Sequence, residues 1–216
     1  MSASKSLNIS VVLDTICPWC YVGKRRIERA FKLAAEKWPE FDASVEYVPY
    51  QLDSSMGKGL DKAEVYHKKY GNRADEIHKR LTDVGKEEGI SFKFGGKMSN
   101  TLDSHRIVDY ARLHGQGAQA VIVESLMHRY FEQEEDIGNI QVLLNAAEDA
   151  GLDREQAKEF LESSEGVESI KQKTKQIQSL GITGVPFYII NDRYGISGAE
   201  TPETFLNAFE KVFEKS

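Results

Sequence analysis

The chain has two cysteines in 216 residues, and they stand three positions apart in the segment Cys17-Pro18-Trp19-Cys20. An apolar, strand-like run from Leu7 to Asp14 comes directly before this segment. A run in which apolar residues recur with helical spacing, from Cys17 to about Lys37, follows it. A pair of thiols at the junction of a strand and a helix constrains the fold more than any other feature of the sequence.

The position of the two thiols also predicts their chemistry. A Cys-x-x-Cys segment between a strand and a helix is typical of thioredoxin-like folds. In thiol–disulfide exchange one thiolate attacks a disulfide, and a second thiol resolves the mixed disulfide. We expect Cys17 to be the nucleophile, because the N–H groups and the dipole at a helix N terminus stabilise a thiolate. Cys20, one turn further, is expected to be more buried and to act as the resolving thiol.

Residues beside the pair are candidates for substrate contact and proton transfer. Pro18 suits the first turn of a helix, and Trp19 would place an apolar ring next to the reactive sulfur, although simple packing is an equal alternative. Asp14 would shuttle the proton of the resolving thiol if it were buried. Aspartates also cap turns of this kind, and we favour that interpretation. The basic run 24–26 is interpreted as a solvated face.

Composition and charge exclude several classes of protein. The chain is 40% hydrophobic and 29% charged, with a formal net charge of -6, which is typical of a globular protein and not of a nucleic-acid-binding domain. No apolar run approaches the ~20 residues of a membrane helix. The N terminus lacks the apolar segment of a signal peptide, so we expect a cytoplasmic protein. A reducing compartment favours a cycling disulfide over a structural one.

Metal binding by the cysteine pair is not expected. A structural zinc site needs four ligands with matching spacing, and the sequence has no second cysteine pair. The five histidines form no short ligand motif. We therefore predict no metal site.

The rest of the chain predicts an α/β fold that a helical region interrupts. The segment 45–52 is rich in Val and Tyr and is predicted to be the second strand. Strands return at 185–190 and 193–197, and a final helix begins at Thr201. Helical spacing dominates between them. The helices predicted there cover 61–89, 103–114, 118–132, 139–150, 153–163 and 166–180. We predict a thioredoxin fold formed by residues 1–55 and 165–216, with an all-helical insertion domain at 56–164.

A proline near the C terminus is expected to complete the site. In thioredoxin-like folds a cis-proline at the position of Pro186 faces the Cys-x-x-Cys segment, and the backbone of its neighbour pairs with an extended substrate. Only ~5% of X-Pro bonds in folded proteins are cis, and the alternative is a trans proline that opens a strand. The position of Gly184-Val185-Pro186-Phe187 before the predicted hairpin favours the cis form. We expect Val185 and Pro186 to contact the substrate.

Three motifs together resemble a known family. They are Asp14-x-x-Cys17-Pro18-Trp19-Cys20-Tyr21-x-Gly23, Asn100-Thr101-x-x-Ser104-His105-Arg106 and Tyr194-Gly195-Ile196-Ser197-Gly198-Ala199. In this order, and over essentially the whole chain, they resemble the FrnE-like branch of the DsbA-like thioredoxin-domain family. The resemblance implies protein disulfide oxidoreductase or isomerase activity and an insertion that caps the active site. It also implies that Asn100 and His105 lie near the cleft as substrate-binding residues.

Relatives of that family leave other functions open. Kappa-class glutathione transferases and 2-hydroxychromene-2-carboxylate isomerases are glutathione-dependent enzymes that use a serine at the nucleophile position. One alternative is therefore a glutathione-dependent isomerase or transferase that acts on a small aromatic or polyketide-like molecule. A second is a non-catalytic, peptide-binding or chaperone-like module.

The two cysteines favour dithiol chemistry over these alternatives. We expect no tightly bound cofactor, and glutathione stays open as a co-substrate. The expected partner is a protein, peptide or small molecule that carries a disulfide or a thiol, with no nucleic acid and no membrane. A homodimer also stays open.

Overall fold

The computed structural model describes residues 5–115 and 117–214. The strands are β1 (Lys5–Leu13), β2 (Phe41–Pro49), β3 (Leu60–Asp61), β4 (Lys97–Met98), β5 (Phe187–Ile190) and β6 (Tyr194–Ser197). The helices are α1 (Pro18–Lys37), α2 (Lys62–Tyr70), α3 (Ala74–Glu88), α4 (Leu102–Ala111), α5 (Ala118–Glu132), α6 (Ile140–Asp149), α7 (Arg154–Glu162), α8 (Val167–Ser179) and α9 (Pro202–Glu214). Within these residues, no helix has both the length and the apolar character that a membrane span requires.

Strand β1 lies in the middle of a four-stranded sheet with the order β2-β1-β5-β6. It runs parallel to β2, with Val11 opposite Tyr47, and antiparallel to β5, with Val11 opposite Tyr188. Its last three residues, Val11 to Leu13, are all buried, because the sheet is covered on both faces there. Helix α9 packs against α1, next to the sheet. This arrangement confirms the predicted thioredoxin fold.

The insertion between β2 and β5 is helical, as the sequence predicts, apart from one short ribbon. Strands β3 and β4 pair Leu60 with Met98 and Asp61 with Lys97. Two-residue strands are too short to leave a periodic signal, so the sequence does not reveal them. The residue limits of the two predicted domains stay predictions.

Several predicted elements differ from the structure in their boundaries, and two differ most. The single helix predicted over 61–89 is two helices, α2 and α3, because Gly71 ends α2 with φ 56° and ψ -136° and a short 3₁₀ turn follows. The apolar spacing continues across this break, so periodicity alone cannot detect it. The second strand begins at Phe41, not at Val45, because residues 41–44 pair in register with the start of β1. It ends at Pro49, before the predicted limit of 52.

The basic run 24–26 is partly buried and paired, so its interpretation as a solvated face is wrong. Lys24 is 4% exposed, and its Nζ lies 2.5 Å from Glu28 and 2.9 Å from Glu124 of α5. Burial opposes the ionisation of Glu124, but the charge and the hydrogen bond of Lys24 lower its pKa. Arg26 Nε donates to Glu88 of α3 at 2.7 Å. Helix α1 is thereby fixed to two helices of the insertion.

Lys62, in the first turn of α2, is a buried cation. Lys62 is 1% exposed, and its Nζ donates to the carbonyl oxygens of Tyr130 at 3.2 Å and Lys93 at 3.3 Å. Nζ also lies 4.0 Å from the centroid of the Tyr130 ring. Burial lowers the pKa of Lys62 to about 8, against the opposing charge of Glu134.

We predict that Lys62→Met stabilises the fold at pH 7 by about 1–3 kcal/mol, because it removes a buried charge. The folded pKa of Lys62, about 8, lies below the ordinary 10.5. Between these two pKa values the unfolded chain binds more protons at Lys62 than the folded chain does. The free energy of unfolding of the wild type should therefore rise with pH in this window, and that of Lys62→Met should lack this rise. Urea unfolding at pH 7, 8.5 and 10 measures both effects. The control is Lys97→Met, which replaces an exposed lysine of β4. The same pH slope in wild type and Lys62→Met would contradict the prediction.

Candidate functional site

Cys17 is the residue that precedes helix α1. Its N–H donates to Asp14 O at 3.0 Å, which turns the chain from β1 into the helix. Its carbonyl accepts the N–H groups of Cys20 at 3.0 Å and Tyr21 at 3.4 Å, and Pro18 occupies the first helical position. The Cys17 thiol therefore lies at the positive end of the helix dipole, as the sequence predicts.

Both cysteines are free thiols, and both are buried. Cys17 is 4% exposed and Cys20 is 2% exposed. Burial raises the pKa of the Cys20 thiol well above its ordinary value, and the hydrogen bond and charge of Cys17 raise it further. Cys20 is therefore a protonated thiol at neutral pH. Cys20 is the more buried thiol, as expected, but the difference in exposure is small. The clearer difference is that Cys17 lines a cavity.

The strand that begins after Pro186 lies against the cysteine helix. The Val185–Pro186 peptide bond is cis, as expected. Cys17 Sγ donates to the carbonyl oxygen of Val185 at 3.7 Å. A Cβ atom on Gly23 would lie 2.2 Å from the Tyr188 hydroxyl and 3.1 Å from Pro186 Cγ. Only glycine allows helix and strand to approach this closely.

A cavity of about 420 Å³, the Cys17 cavity, lies beside the nucleophile. Cys17, Pro18, Trp19 and Val185 form one side of it. The opposite side comes from the insertion and is apolar and aromatic, formed mainly by Val65, Tyr66, Tyr70, Ile77 and Leu81. The sequence analysis identified the residues beside the nucleophile as site residues and missed those of the insertion. The apolar spacing of α2 and α3 predicts a buried face but does not reveal what that face covers.

Two aromatic side chains of the Cys17 cavity differ in how they are held. Trp19 is half-buried, and the guanidinium of Arg80 lies 5.0 Å from its ring centroid. Tyr66 is buried, and burial raises the pKa of its hydroxyl. The Tyr66 hydroxyl is therefore neutral at pH 7, and its ring belongs to the apolar wall of the cavity.

Residues 50–54, the wall segment, separate the Cys17 cavity from a second cavity of about 630 Å³. Leu52 and Asp53 line the first cavity, whereas Gln51 and Ser54 line the second. Met56, just beyond the segment, lines both. The conformation of this short stretch of chain thus determines the shape of both cavities.

Asp14 and His105 hold the wall segment from the protein interior. Asp14 is fully buried, and its Oδ2 accepts the N–H of Leu52 at 2.7 Å. The favoured interpretation of Asp14 as a side-chain cap of the cysteine turn is therefore wrong, because its bonded oxygen binds the wall segment. His105 Nε2 lies 3.0 Å from the carbonyl oxygen of Tyr50 and 3.3 Å from Asp14 Oδ1. Because a carbonyl only accepts, Nε2 carries the proton. The 3.3 Å contact does not have the geometry of a hydrogen bond, so Asp14 Oδ1 is without one in the described part of the chain.

Asn100 holds the same segment from the other side. Its Oδ1 accepts from Gln51 Nε2 at 3.1 Å and from the N–H of Leu102 at 2.9 Å, and its Nδ2 donates to the Ser54 carbonyl at 2.9 Å. Asn100 lines the second cavity, and neither Asn100 nor His105 is among the described residues that line the Cys17 cavity. The structure therefore places both residues behind the wall and not beside the nucleophile.

The remaining residues of the second motif fasten other parts of the insertion. Ser104 Oγ lies 2.7 Å from the hydroxyl of Thr15, which is two residues before Cys17. Arg106 is buried and donates to the carbonyl oxygens of 160, 161, 163 and 165. In the described residues, no three His, Cys, Asp or Glu side chains are grouped so that they could hold a metal ion.

A family model for the DSBA-like thioredoxin domain matches residues 8–210. The chain belongs to the DsbA-like thioredoxin-domain family. The match covers β1 from Asn8 onward, the cysteine pair, the insertion and Pro186 of this DsbA-like chain.

Known proteins similar to this DsbA-like chain include one curated relative and several solved structures. The uncharacterized protein YwbO of Bacillus subtilis is 26% identical over 97% of this chain and 99% of its own length. A probable DsbA oxidoreductase, SCO1869 from Streptomyces coelicolor, is 25% identical, with a TM-score of 0.87 over 97% of this chain and 91% of that one.

A more distant structure shares the fold. The cytosolic disulfide reductase DsbM from Pseudomonas aeruginosa is 13% identical, with a TM-score of 0.67 over 97% of this chain and 100% of that one. The same reductase with GSH has a TM-score of 0.62 at 14% identity, over 96% of this chain and 98% of that one.

We predict that Asn100→Ala releases the wall segment of this DsbA-like protein. The variant loses three hydrogen bonds, so the free energy of unfolding should fall by about 1–3 kcal/mol. Amide hydrogen exchange of residues 50–56 should accelerate more than exchange in the central sheet. The control is Asn139→Ala, which removes the cap of α6 and should cost about 1 kcal/mol without affecting the segment. Equal exchange of residues 50–56 in both variants would refute this role of Asn100.

Proposed function

We propose that the protein is a dithiol–disulfide oxidoreductase in which Cys17 is the nucleophile and Cys20 is the resolving thiol. The observation that carries this proposal is the different placement of the two thiols. Cys17 lies at the N terminus of α1 and lines a cavity, whereas Cys20 lies one turn behind it with a raised pKa. An attacking thiolate and a protected second thiol are the two components that disulfide exchange requires.

The proposed reaction transfers two electrons from the protein to a substrate disulfide. Cys17 first loses its proton to solvent, and its thiolate attacks one substrate sulfur. The substrate S–S bond breaks, and the first substrate thiolate leaves and takes up a proton from solvent. Cys20 then gives up its proton and attacks Cys17 Sγ. The mixed disulfide breaks, the second substrate thiol leaves, and a Cys17–Cys20 disulfide forms. The reverse sequence oxidises a dithiol.

Electrostatics sets the order of these steps. The hydrogen bond and the charge of Cys17 contribute to the raised pKa of Cys20. Both contributions disappear when Cys17 enters a mixed disulfide, so Cys20 loses its proton more readily at that stage. In this scheme Asp14 Oδ1 accepts the proton. The charge of Asp14 acts on Cys20, and Oδ1 has no full hydrogen bond in the described residues.

The two cysteine variants should fail at different steps. We expect Cys17→Ser to reduce bis(2-hydroxyethyl) disulfide at the uncatalysed rate, because it lacks the nucleophile. Cys20→Ser should complete one attack and stop at a mixed disulfide, which mass spectrometry detects as an added mercaptoethanol group. Each variant is the matched control of the other. Unchanged turnover in Cys17→Ser would sink the proposal.

The pKa of Cys20 should respond to the removal of Cys17. In Cys17→Ala, the hydrogen bond and charge from residue 17 are absent, so the pKa of Cys20 should fall relative to wild type while burial still holds it above the ordinary value. Titration of ¹³Cβ-labelled cysteine by NMR measures this shift. Trp19→Phe is the control, since it alters the cavity but keeps Cys17. A higher or unchanged pKa of Cys20 in Cys17→Ala would contradict the scheme.

We also propose that a monothiol of the glutathione type returns the protein to its dithiol form in a reducing, cytoplasmic compartment. Two equivalents of the monothiol would reduce the Cys17–Cys20 disulfide and leave as their own disulfide. The support is the cytosolic reductase DsbM, which shares the fold and has been solved with GSH. Reduction of the oxidised protein by glutathione, followed through its free thiols, tests this step.

A further inference from the structure

We infer that the substrate of Cys17 is a low-molecular-mass disulfide with apolar or aromatic groups beside its sulfurs, and not a disulfide on the surface of a folded protein. This inference rests on the proposed exchange chemistry and adds the substrate class. It depends on three features of the structure, namely the burial of the reactive sulfur, the chemistry of the cavity walls and the way those walls are held.

The reactive sulfur is reached through the Cys17 cavity. Cys17 is 4% exposed, and Val185 O lies on one side of its Sγ at 3.7 Å. An attacking sulfur must approach the substrate S–S bond along the bond axis, so the whole disulfide has to enter the cavity. A disulfide on the surface of a folded protein could enter only together with the backbone on either side of it, so the cavity would have to hold that backbone as well.

The cavity is suited to a small apolar molecule. Its volume of about 420 Å³ lies within the roughly 300–1,000 Å³ of small-molecule sites. The rings of Trp19, Tyr66 and Tyr70 line it. Among the described residues, its charged lining residues are Asp53 and Lys69, and both are exposed. The backbone of Val185 could pair with part of a protein substrate, but other flanking N–H and C=O groups would lose water against these apolar walls, which is costly.

The walls are held rigidly enough to keep this shape. On the insertion side, Arg26 and Arg29 bind the buried carboxylate of Glu88 at 2.7 and 2.8 Å, which fixes α3 to α1. On the other side, Asp14 and Asn100 hold the wall segment through its backbone and side chains. A cavity that is formed before binding selects its ligand by size and polarity.

The test compares three disulfide probes in single turnover with the pre-reduced full chain, so that the protein dithiol is the sole reductant. The probes are bis(2-phenylethyl) disulfide, bis(2-hydroxyethyl) disulfide and insulin. The two small probes release alkyl thiols, so their rates differ mainly in how the flanking groups bind. For each probe the protein dithiol becomes a disulfide and the probe yields two thiols. Wild type should react with the phenylethyl probe about tenfold or more faster than with the hydroxyethyl probe, as expected for an apolar pocket, and most slowly with insulin.

Two matched variants locate the preference. Val65→Phe fills the cavity from α2 and should lower the preference for the phenylethyl probe over the hydroxyethyl probe about tenfold. Val84→Phe adds the same ring to a half-buried valine of α3 that is not among the residues lining the cavity, and should keep the wild-type preference. A measurement on wild type avoids dependence on variant folding: methyl 2-phenylethyl thioether, which cannot exchange, should protect Cys17 from iodoacetamide.

The outcomes separate this inference from the proposed function. Equal rates for the two small probes, faster attack on insulin, or no protection by the thioether would each overturn the substrate class. If wild type oxidises its dithiol with none of the three probes, the proposed oxidoreductase function itself fails. A preference for the phenylethyl probe that Val65→Phe lowers and Val84→Phe keeps, together with thioether protection, would support both.

Discussion

The ion pairs along helix α1 are the interaction on which the rest of the site depends. Lys24 is buried between Glu28 and Glu124, and Arg26 binds the buried carboxylate of Glu88. Removing one partner of such a pair leaves an uncompensated charge in the interior, which is strongly unfavourable. The insertion therefore cannot shift away from the helix without breaking these contacts. Because Cys17 directly precedes α1, the same contacts fix the insertion side of the Cys17 cavity relative to the nucleophile.

The wall segment shows how one short stretch of chain connects the sheet, the cysteine turn and the insertion. Asp14 follows β1, Asn100 precedes α4, and His105 lies within α4, yet all three bind residues 50–54. Their contribution is to position the wall, which explains how polar residues outside the Cys17 cavity influence its shape. A polar residue that is buried and bonded to backbone in this way preserves a conformation that packing alone would not specify.

The sequence predicted the parts of the site that local patterns encode. Cys17, Cys20 and Pro186 stand in short motifs whose spacing reflects a strand–helix junction and a strand start, and the structure has both. Val65 and Ile77 were missed, because their role arises from the docking of the insertion over α1, which no local period records. The split of the predicted helix at Gly71 was missed for a related reason. Helices α2 and α3 have apolar faces with the same period. What separates them is the backbone conformation of Gly71 and the short 3₁₀ turn that follows, and periodicity does not report either.

Gly23 has a consequence for the variation that this site tolerates. The N-terminal half of the site, on α1, and its C-terminal half, at Pro186 and Tyr188, meet at a position that has no side chain. They are more than 160 residues apart in sequence, yet a substitution that enlarges a side chain at this contact on one of them has to be accommodated by the other. A larger residue at position 23 would push against Pro186 and the Tyr188 hydroxyl at the start of β5. Mutational tolerance around the thiols is therefore limited by a steric contact that takes no part in the chemistry.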